Sequence, residues 1–210
     1  MTVDGPRNVW VTTQTAGGQF GTAPAVEPQP TPAPHVSGPQ RPQPGGVTSA
    51  PGGLGVAPYA APLTGGCWIL GCHGGAGVST VIQALPGVGT DASRVWPAPV
   101  DGVRAPVVLV ARTHFTGLQA AQGAARQWAS GSLPWVSLLG LVLVADAPGR
   151  PPKPLRDLQR LVSGGVPRTW YLPWVEPWRC GDPIESHVPR QVTALGRDLH
   201  QTLGELYGRP

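Results

Sequence analysis

The fold is decided by residues 67–80, which read CWILGCHGGAGVST. Their first half is a short apolar run that ends in glycine, which is typical of a buried strand. Further glycines follow, and a segment with helical character begins at Val78 and is stopped by Pro86. A strand, a glycine-rich turn and a helix in this order point backbone N–H groups at a phosphate. The stretch predicts an anion-binding turn in an α/β domain; the alternative is a plain glycine-rich connection.

Strand and helix patterns alternate through the rest of the chain. Apolar runs predict further buried strands at Val107–Ala111, Leu138–Ala145 and Arg168–Leu172. The predicted helices are one capped by Thr116, one opened by Pro154 and one spanning Arg190–Tyr207. The last has an apolar stripe made of Val192, Leu195, Leu199, Leu203 and Leu206. This alternation, with nearly all-apolar strands, predicts a three-layer domain over residues 65–210, in which helices cover both faces of a parallel sheet.

The region before this domain is rich in proline and glycine. The whole chain has 27 prolines and 30 glycines in 210 residues, and much of the proline excess lies between Thr22 and Pro44. Such a segment cannot bury enough apolar surface to offset the entropy lost on folding. We therefore expect residues 1–64 to form a disordered tail that makes few contacts with the domain.

Charge and cysteine usage exclude several classes of protein. The net charge is +4, but charged residues make up only 12% and the arginines are scattered, which disfavours direct nucleic-acid binding. Residues 1–10 lack the apolar core of a signal peptide, and the longest apolar stretch, Leu133–Ala145, is shorter than the ~20 residues that span a bilayer. The 3 cysteines fit neither a disulfide framework nor a zinc site, so we expect buried thiols in a cytoplasmic protein.

The glycine-rich turn resembles the deviant P-loop of the ParA/MinD family of partition and positioning ATPases, which reads roughly K-G-G-x-G-K-T-T. The residues that align with it are His73, Gly74, Gly75, Ala76, Gly77, Val78, Ser79 and Thr80. The glycines and the hydroxyl pair match, whereas His73 and Val78 stand where the family has lysines. The resemblance implies a P-loop NTPase-like sheet and a bound ATP or ADP, with Mg²⁺ on Ser79. The chain also resembles an uncharacterised actinobacterial group with a lysine-free P-loop.

Loss of both lysines predicts poor hydrolysis. The only lysine in the chain is Lys153, far from the turn in sequence. One preorganised donor at a transition state is commonly worth about 2.7–4 kcal/mol. Valine supplies none of this, and an ordinary imidazole at position 73 is mostly neutral near pH 7. The sequence therefore favours a nucleotide sensor or pseudo-ATPase that acts through an unidentified protein partner.

The resemblance extends over residues 66–207. The segment Leu139–Asp146 resembles the family's penultimate strand, and Val166–Pro173 resembles its last strand, which ends near a proline beside the nucleotide base. This implies a place beside the base for Pro173. The following Trp174 could stack on a base or on a partner, but packing of its loop on the core is favoured. The run Val142–Gly149 also fits a Walker B strand, in which Asp146 would position Mg²⁺, and this alternative stays open.

Two other functions fit the same residues. The domain could be a scaffold or interaction module that keeps the fold without a ligand. It could also be a slow ATPase of a partition or conjugation system, in which Arg112, or an arginine from a second subunit of a homodimer, replaces lysine. Nucleotide binding separates the sensor from the scaffold, and phosphate release separates the sensor from the ATPase.

Overall fold

A computed structural model describes residues 35–36, 38–49, 53–59, 66–100 and 102–208. The strands are β1 (His35–Val36), β2 (Val56–Tyr59), β3 (Cys67–Gly71), β4 (Gly89–Asp91), β5 (Trp96–Pro99), β6 (Ala105–Arg112), β7 (Val136–Val144) and β8 (Arg168–Leu172). The helices are α1 (Val78–Ala84), α2 (Phe115–Ala129), α3 (Lys153–Ser163), α4 (Glu176–Cys180) and α5 (Arg190–Tyr207), with a 3₁₀ turn at Ile184–His187.

A 6-stranded sheet forms the centre of the domain, in the order β1-β8-β7-β6-β3-β4. The strands from β8 to β4 run parallel, and β1 pairs antiparallel with β8. One face of the sheet packs against α2 and α3, around Leu118, Trp128 and Val162. The other face packs against α1 and α5, around Val81 and Leu195. The predicted α/β class, a parallel sheet with helices on both faces, is confirmed.

The C-terminal elements match the sequence pattern closely. Both β8 and α5 have the predicted bounds. Four of the five stripe residues of α5 are buried, but Leu206, in the last turn of the helix, is 37% exposed. Its predicted place in the core is wrong.

The predicted cap of α2 is also wrong. The helix begins one residue before Thr116, and its N-cap is His114, whose Nδ1 accepts a hydrogen bond from the Gly117 N–H at 3.0 Å. The Thr116 hydroxyl lies in the first turn and bonds to the same nitrogen at 3.0 Å.

A parallel ribbon of β2 and β5 lies beside the main sheet, although neither strand is among those that the sequence predicts. The N–H of Trp96 donates to the Gly55 carbonyl at 2.7 Å, and the N–H of Val100 donates to the Tyr59 carbonyl at 3.3 Å. The prolines at 97 and 99 fall between these donors, so their missing N–H groups cost no bond to β2.

Residues 38–49 and 53–59, here called the strap, contact the domain along α2. The Gln43 N–H donates to the Ala129 carbonyl at 2.8 Å, and Arg126 donates to the Thr48 carbonyl at 3.0 Å. Val47, Leu54 and Tyr59 pack against the core beneath α2. The expectation that residues 1–64 make few contacts with the domain is therefore wrong for β1 and the strap. Residues 1–34, 37, 50–52 and 60–64 of the predicted tail lie outside the described residues.

The side chain of Gln127 in α2 connects the strap to the domain through hydrogen bonds. Its Oε1 accepts hydrogen bonds from the Leu54 N–H at 2.9 Å and from Trp96 Nε1 at 2.8 Å. Its Nε2 donates to the Leu54 carbonyl at 2.9 Å. The amide side chain pairs with the strap backbone as a neighbouring strand would, and it also satisfies the indole of the fully buried Trp96.

Candidate functional site

The order of the strands indicates at which edge of the sheet a ligand would bind. β3 lies between β4 and β6, so the chain leaves β3 toward one side and returns to the other side with β6. In open parallel sheets, ligands bind beyond the carboxyl ends of the strands at such a switch point. Residues 73–77, here called the glycine loop, leave β3 there and lead into α1. The predicted strand, glycine loop and helix thus stand at this edge of the fold.

The backbone of the glycine loop needs glycine at two positions. Gly75 has φ +73° and Gly77 has φ +100°, in the left-handed region that other residues rarely adopt. Among the described residues, a Cβ on Gly75 would meet no atom within 4 Å, and one on Gly74 would meet only Arg94 Nη1, at 3.9 Å. The outer side of the loop is therefore open and has room for a ligand.

His73 ties the glycine loop to β6 as a neutral imidazole. Its Nε2 accepts a hydrogen bond from the Arg112 N–H at 3.0 Å, so its proton is assigned to Nδ1, which donates to the Gly74 carbonyl at 2.8 Å. Burial lowers the pKa of His73, the bond to Gly74 opposes this, and the charges of His114, Arg112 and Arg94 lower the pKa further. His73 therefore supplies no cation in place of a lysine.

The other residues that align with the P-loop, at positions 76 and 78–80, lie partly in the core and partly at the surface. Val78 is half-buried against the core beneath α1, and a Cβ on Gly71 would come within 3.0 Å of its Cγ2. Ala76 is buried, Thr80 is half-buried and Ser79 is exposed at the first turn of α1. The side chain that replaces the family's second lysine thus packs toward the end of β3 and carries no charge.

Two arginines from neighbouring strands flank the glycine loop. Arg112 ends β6, donates from Nη1 to the Ala145 carbonyl at 3.0 Å, and has Nε 3.9 Å from the position of a Gly77 Cβ. Arg94 approaches Gly74 from the turn after β4, where Asp91 accepts the Ser93 N–H at 2.7 Å. Within the described residues neither guanidinium forms an ion pair. Sequence reasoning considered Arg112 but missed Arg94, because no local motif marks it.

The other predicted site residues lie further along the same edge. Asp146 is exposed after β7, and its N–H donates to the Thr113 hydroxyl at 3.0 Å. Pro173 and Trp174 follow β8, and the Trp174 indole donates to the Glu176 carboxylate. Because β6 separates β7 from β3, and β7 and β6 separate β8 from β3, these residues are not on the strand next to the glycine loop.

The described residues contain no group of three or more His, Cys, Asp or Glu side chains that could hold a metal ion. Two of the cysteines are buried as predicted, and burial raises the pKa of Cys67 and of Cys72 to about 12. Cys180 is exposed. Among the same residues, no helix combines the length and apolar character that a bilayer crossing requires.

Comparison with known proteins identifies one family. The model of a family of unknown function (DUF6668) matches residues 65–195, more than half of the chain. The chain belongs to the DUF6668 family. The part shared with DUF6668 begins just before β3 and includes the glycine loop and both flanking arginines, whereas the strap lies outside it. No curated protein and no solved structure matches the chain.

Proposed function

We propose that the protein binds a nucleotide at the glycine loop and hydrolyses it poorly, as a sensor or pseudo-ATPase similar to the ParA/MinD family. The observation that carries this proposal is the convergence of Arg94 and Arg112 on a glycine loop at the switch point of the sheet. Backbone N–H groups of such a loop suit phosphate oxygens, and a guanidinium can bind phosphate through two parallel hydrogen bonds. The two arginines would supply the charge that the missing lysines do not.

The residues present fit ATP or ADP with Mg²⁺ in part. The open outer side of Gly74 and Gly75 has room for a phosphate, and the exposed hydroxyl of Ser79 is the group that would hold Mg²⁺. Bound Mg²⁺ would neutralise part of the phosphate charge. The roles of Asp146 near the metal and of Pro173 and Trp174 near the base remain part of this proposal.

Several features support binding without efficient turnover. Val78 carries no charge, and His73 is neutral because of its burial and its cationic neighbours. β6, one of the two strands beside β3, ends in Arg112 and is followed by Thr113, so it brings no carboxylate to the glycine loop. The other neighbour, β4, ends in Asp91, whose carboxylate accepts the Ser93 N–H. A bound nucleotide would then persist as a signal that a protein partner reads. The two buried thiols agree with a reducing, cytoplasmic setting.

Calorimetric titration of the full chain with Mg-ATP, Mg-ADP and GTP tests the proposal. Arg112→Ala should weaken binding by roughly 10–100-fold, because hydrogen bonds to charged groups contribute about 1.5–3 kcal/mol. Arg197→Ala removes the same charge from an exposed position on α5 and should leave the affinity unchanged. Absence of both heat and thermal stabilisation at millimolar nucleotide would refute nucleotide binding.

Two glycine variants distinguish a nucleotide sensor from a scaffold that binds no ligand. Gly77 and Gly87 both have positive φ, but only Gly77 belongs to the glycine loop. Gly77→Asp should abolish nucleotide binding, whereas Gly87→Asp, with similar backbone strain and the same added charge, should preserve it. The scaffold alternative is favoured by Val78, which packs under the loop as a core residue would. Phosphate release above that of a Ser79→Ala variant would instead support the slow ATPase.

A further inference from the structure

The hydrogen bonds between β3 and β6 end in an unusual way. The Cys72 N–H donates to the Val110 carbonyl at 2.9 Å. In a parallel ladder that continued, the next bond would run from the Arg112 N–H to the Cys72 carbonyl. The chain turns into the glycine loop at this point, and the Arg112 N–H donates to His73 Nε2 at 3.0 Å instead. An imidazole thus takes the place of the last backbone acceptor.

The ring of His73 is held on three sides. Its Nδ1 donates to the Gly74 carbonyl within the glycine loop, at 2.8 Å. On the side of α2, a Cβ on Gly117 would approach Nε2 to 2.9 Å, and the ring of His114 lies 5.0 Å away between centroids. One side chain therefore connects the loop, the end of β6 and the start of α2.

We propose that His73 is a pH-dependent latch, which holds the glycine loop on β6 while the imidazole is neutral and releases it when the imidazole is protonated. A proton on Nε2 turns this atom from an acceptor into a donor that faces the donor N–H of Arg112, so the bond between them is lost. The proposal stands whether or not the loop binds a nucleotide.

Burial and the charged groups that face His73 all lower its pKa, and only the bond to the Gly74 carbonyl opposes them. The charged groups are Arg112 at the end of β6, Arg94 in the turn after β4, and His114 at the start of α2. None of these can be negatively charged, and among the described residues no carboxylate contributes to the shift of the His73 pKa. Burial also lowers the pKa of His73 from its usual 6.5, so the loop is latched above about pH 6.5 and released as the pH falls below it.

NMR spectroscopy of the ¹⁵N-labelled full chain tests the latch. Near pH 7.5 we expect the Nδ1–H tautomer of His73 and slow exchange of the Arg112 amide. As the ring becomes protonated below pH 6.5, the protection factors of Arg112 and of the loop amides should fall by about tenfold for each pH unit. A His73 pKa at or above 6.5, or an Arg112 amide that stays protected while the ring is charged, would overturn the proposal.

Two variants show whether the pH dependence comes from the imidazole of His73 or from that of His114. Gln at position 73 offers an acceptor and a donor but no titration near neutral pH, so His73→Gln should make protection of the Arg112 amide independent of pH. His114→Asn removes the neighbouring imidazole and keeps a good helix cap, so the transition should remain, at slightly higher pH. Loss of the transition in His114→Asn would assign the switch to His114 and contradict the latch. The wild-type titration decides the matter even if His73→Gln does not fold.

Discussion

At the scale of single residues, Gln127 should have a large effect on stability although it lies outside the apolar core. Its amide makes three hydrogen bonds, to both backbone groups of Leu54 and to the Trp96 indole. Gln127→Ala leaves these groups unsatisfied at a partly buried site, and each such loss costs about 1 kcal/mol or more. We expect the free energy of unfolding to fall by about 2–3 kcal/mol in urea titration.

Two comparisons show whether the hydrogen bonds cause this loss. Gln119→Ala removes the same atoms from an exposed position on the same helix and should change stability by less than about 0.5 kcal/mol. Gln127→Glu keeps an acceptor for Leu54 and Trp96 but sets a carboxylate oxygen against the Leu54 carbonyl, so it should also lower the free energy of unfolding. Equal stability of Gln127→Ala and Gln119→Ala would show that the strap is held by other contacts.

At the scale of elements, two leucines of α5 differ in burial and can be compared directly. Leu199 is fully buried against the sheet, whereas Leu206 is 37% exposed in the last turn. Leu199→Ala should lower the free energy of unfolding by about 2–5 kcal/mol, as large-to-small substitutions in a core do. Leu206→Ala, the same chemical change on the same helix, should cost less than about 1 kcal/mol. Chemical denaturation of both variants measures the difference, and equal losses would mean that the end of α5 is packed in solution.

The elements also show which parts of the fold the sequence could predict. β8 and α5 have long local apolar patterns, and the predicted bounds agree with the structure. β4 spans 3 residues, and β5 alternates with proline, so neither leaves a local pattern. β5 forms because distant groups reach it, among them the Gly55 carbonyl and the Gln127 side chain. Contacts between residues that are far apart in the sequence leave no pattern among neighbouring residues, so the sequence could not predict β5.

The candidate site also has one part that the sequence predicts and one part that it does not. The glycine loop is predictable because its strand, glycines and helix are consecutive in the chain. The approach of Arg94 to Gly74 and the bond from the Arg112 N–H to His73 depend on which strands become neighbours. The sequence therefore indicates where a ligand would bind, whereas the charges around it become apparent only once the sheet is assembled.

At the scale of the whole molecule, the strap should contribute to stability although it is rich in proline and glycine. A chain that begins at residue 60 loses β2, the Leu54 partner of Gln127 and the contact between Tyr59 and Trp68, whose ring centroids are 4.2 Å apart. We expect the melting temperature to fall by roughly 10 °C, since about 1 kcal/mol corresponds to 2–4 °C in a domain of this size.

A chain that begins at residue 35 is the matched control for this truncation, because it keeps every strap contact described above. Its melting temperature should lie close to that of the full chain, and calorimetry of the three proteins gives the comparison. Equal melting temperatures for the two truncated chains would show that the strap adds nothing to the folded state.

The prolines of the ribbon also limit how the molecule associates with copies of itself. A foreign strand that adds to a sheet edge needs free N–H and C=O groups along that edge. On the outer side of β5, Pro97 and Pro99 have no N–H, and the Pro97 carbonyl already accepts the Trp135 indole at 2.9 Å. The same residues that make this region look unstructured in the sequence therefore close the ribbon to strand addition and protect the folded protein from aggregation at that edge.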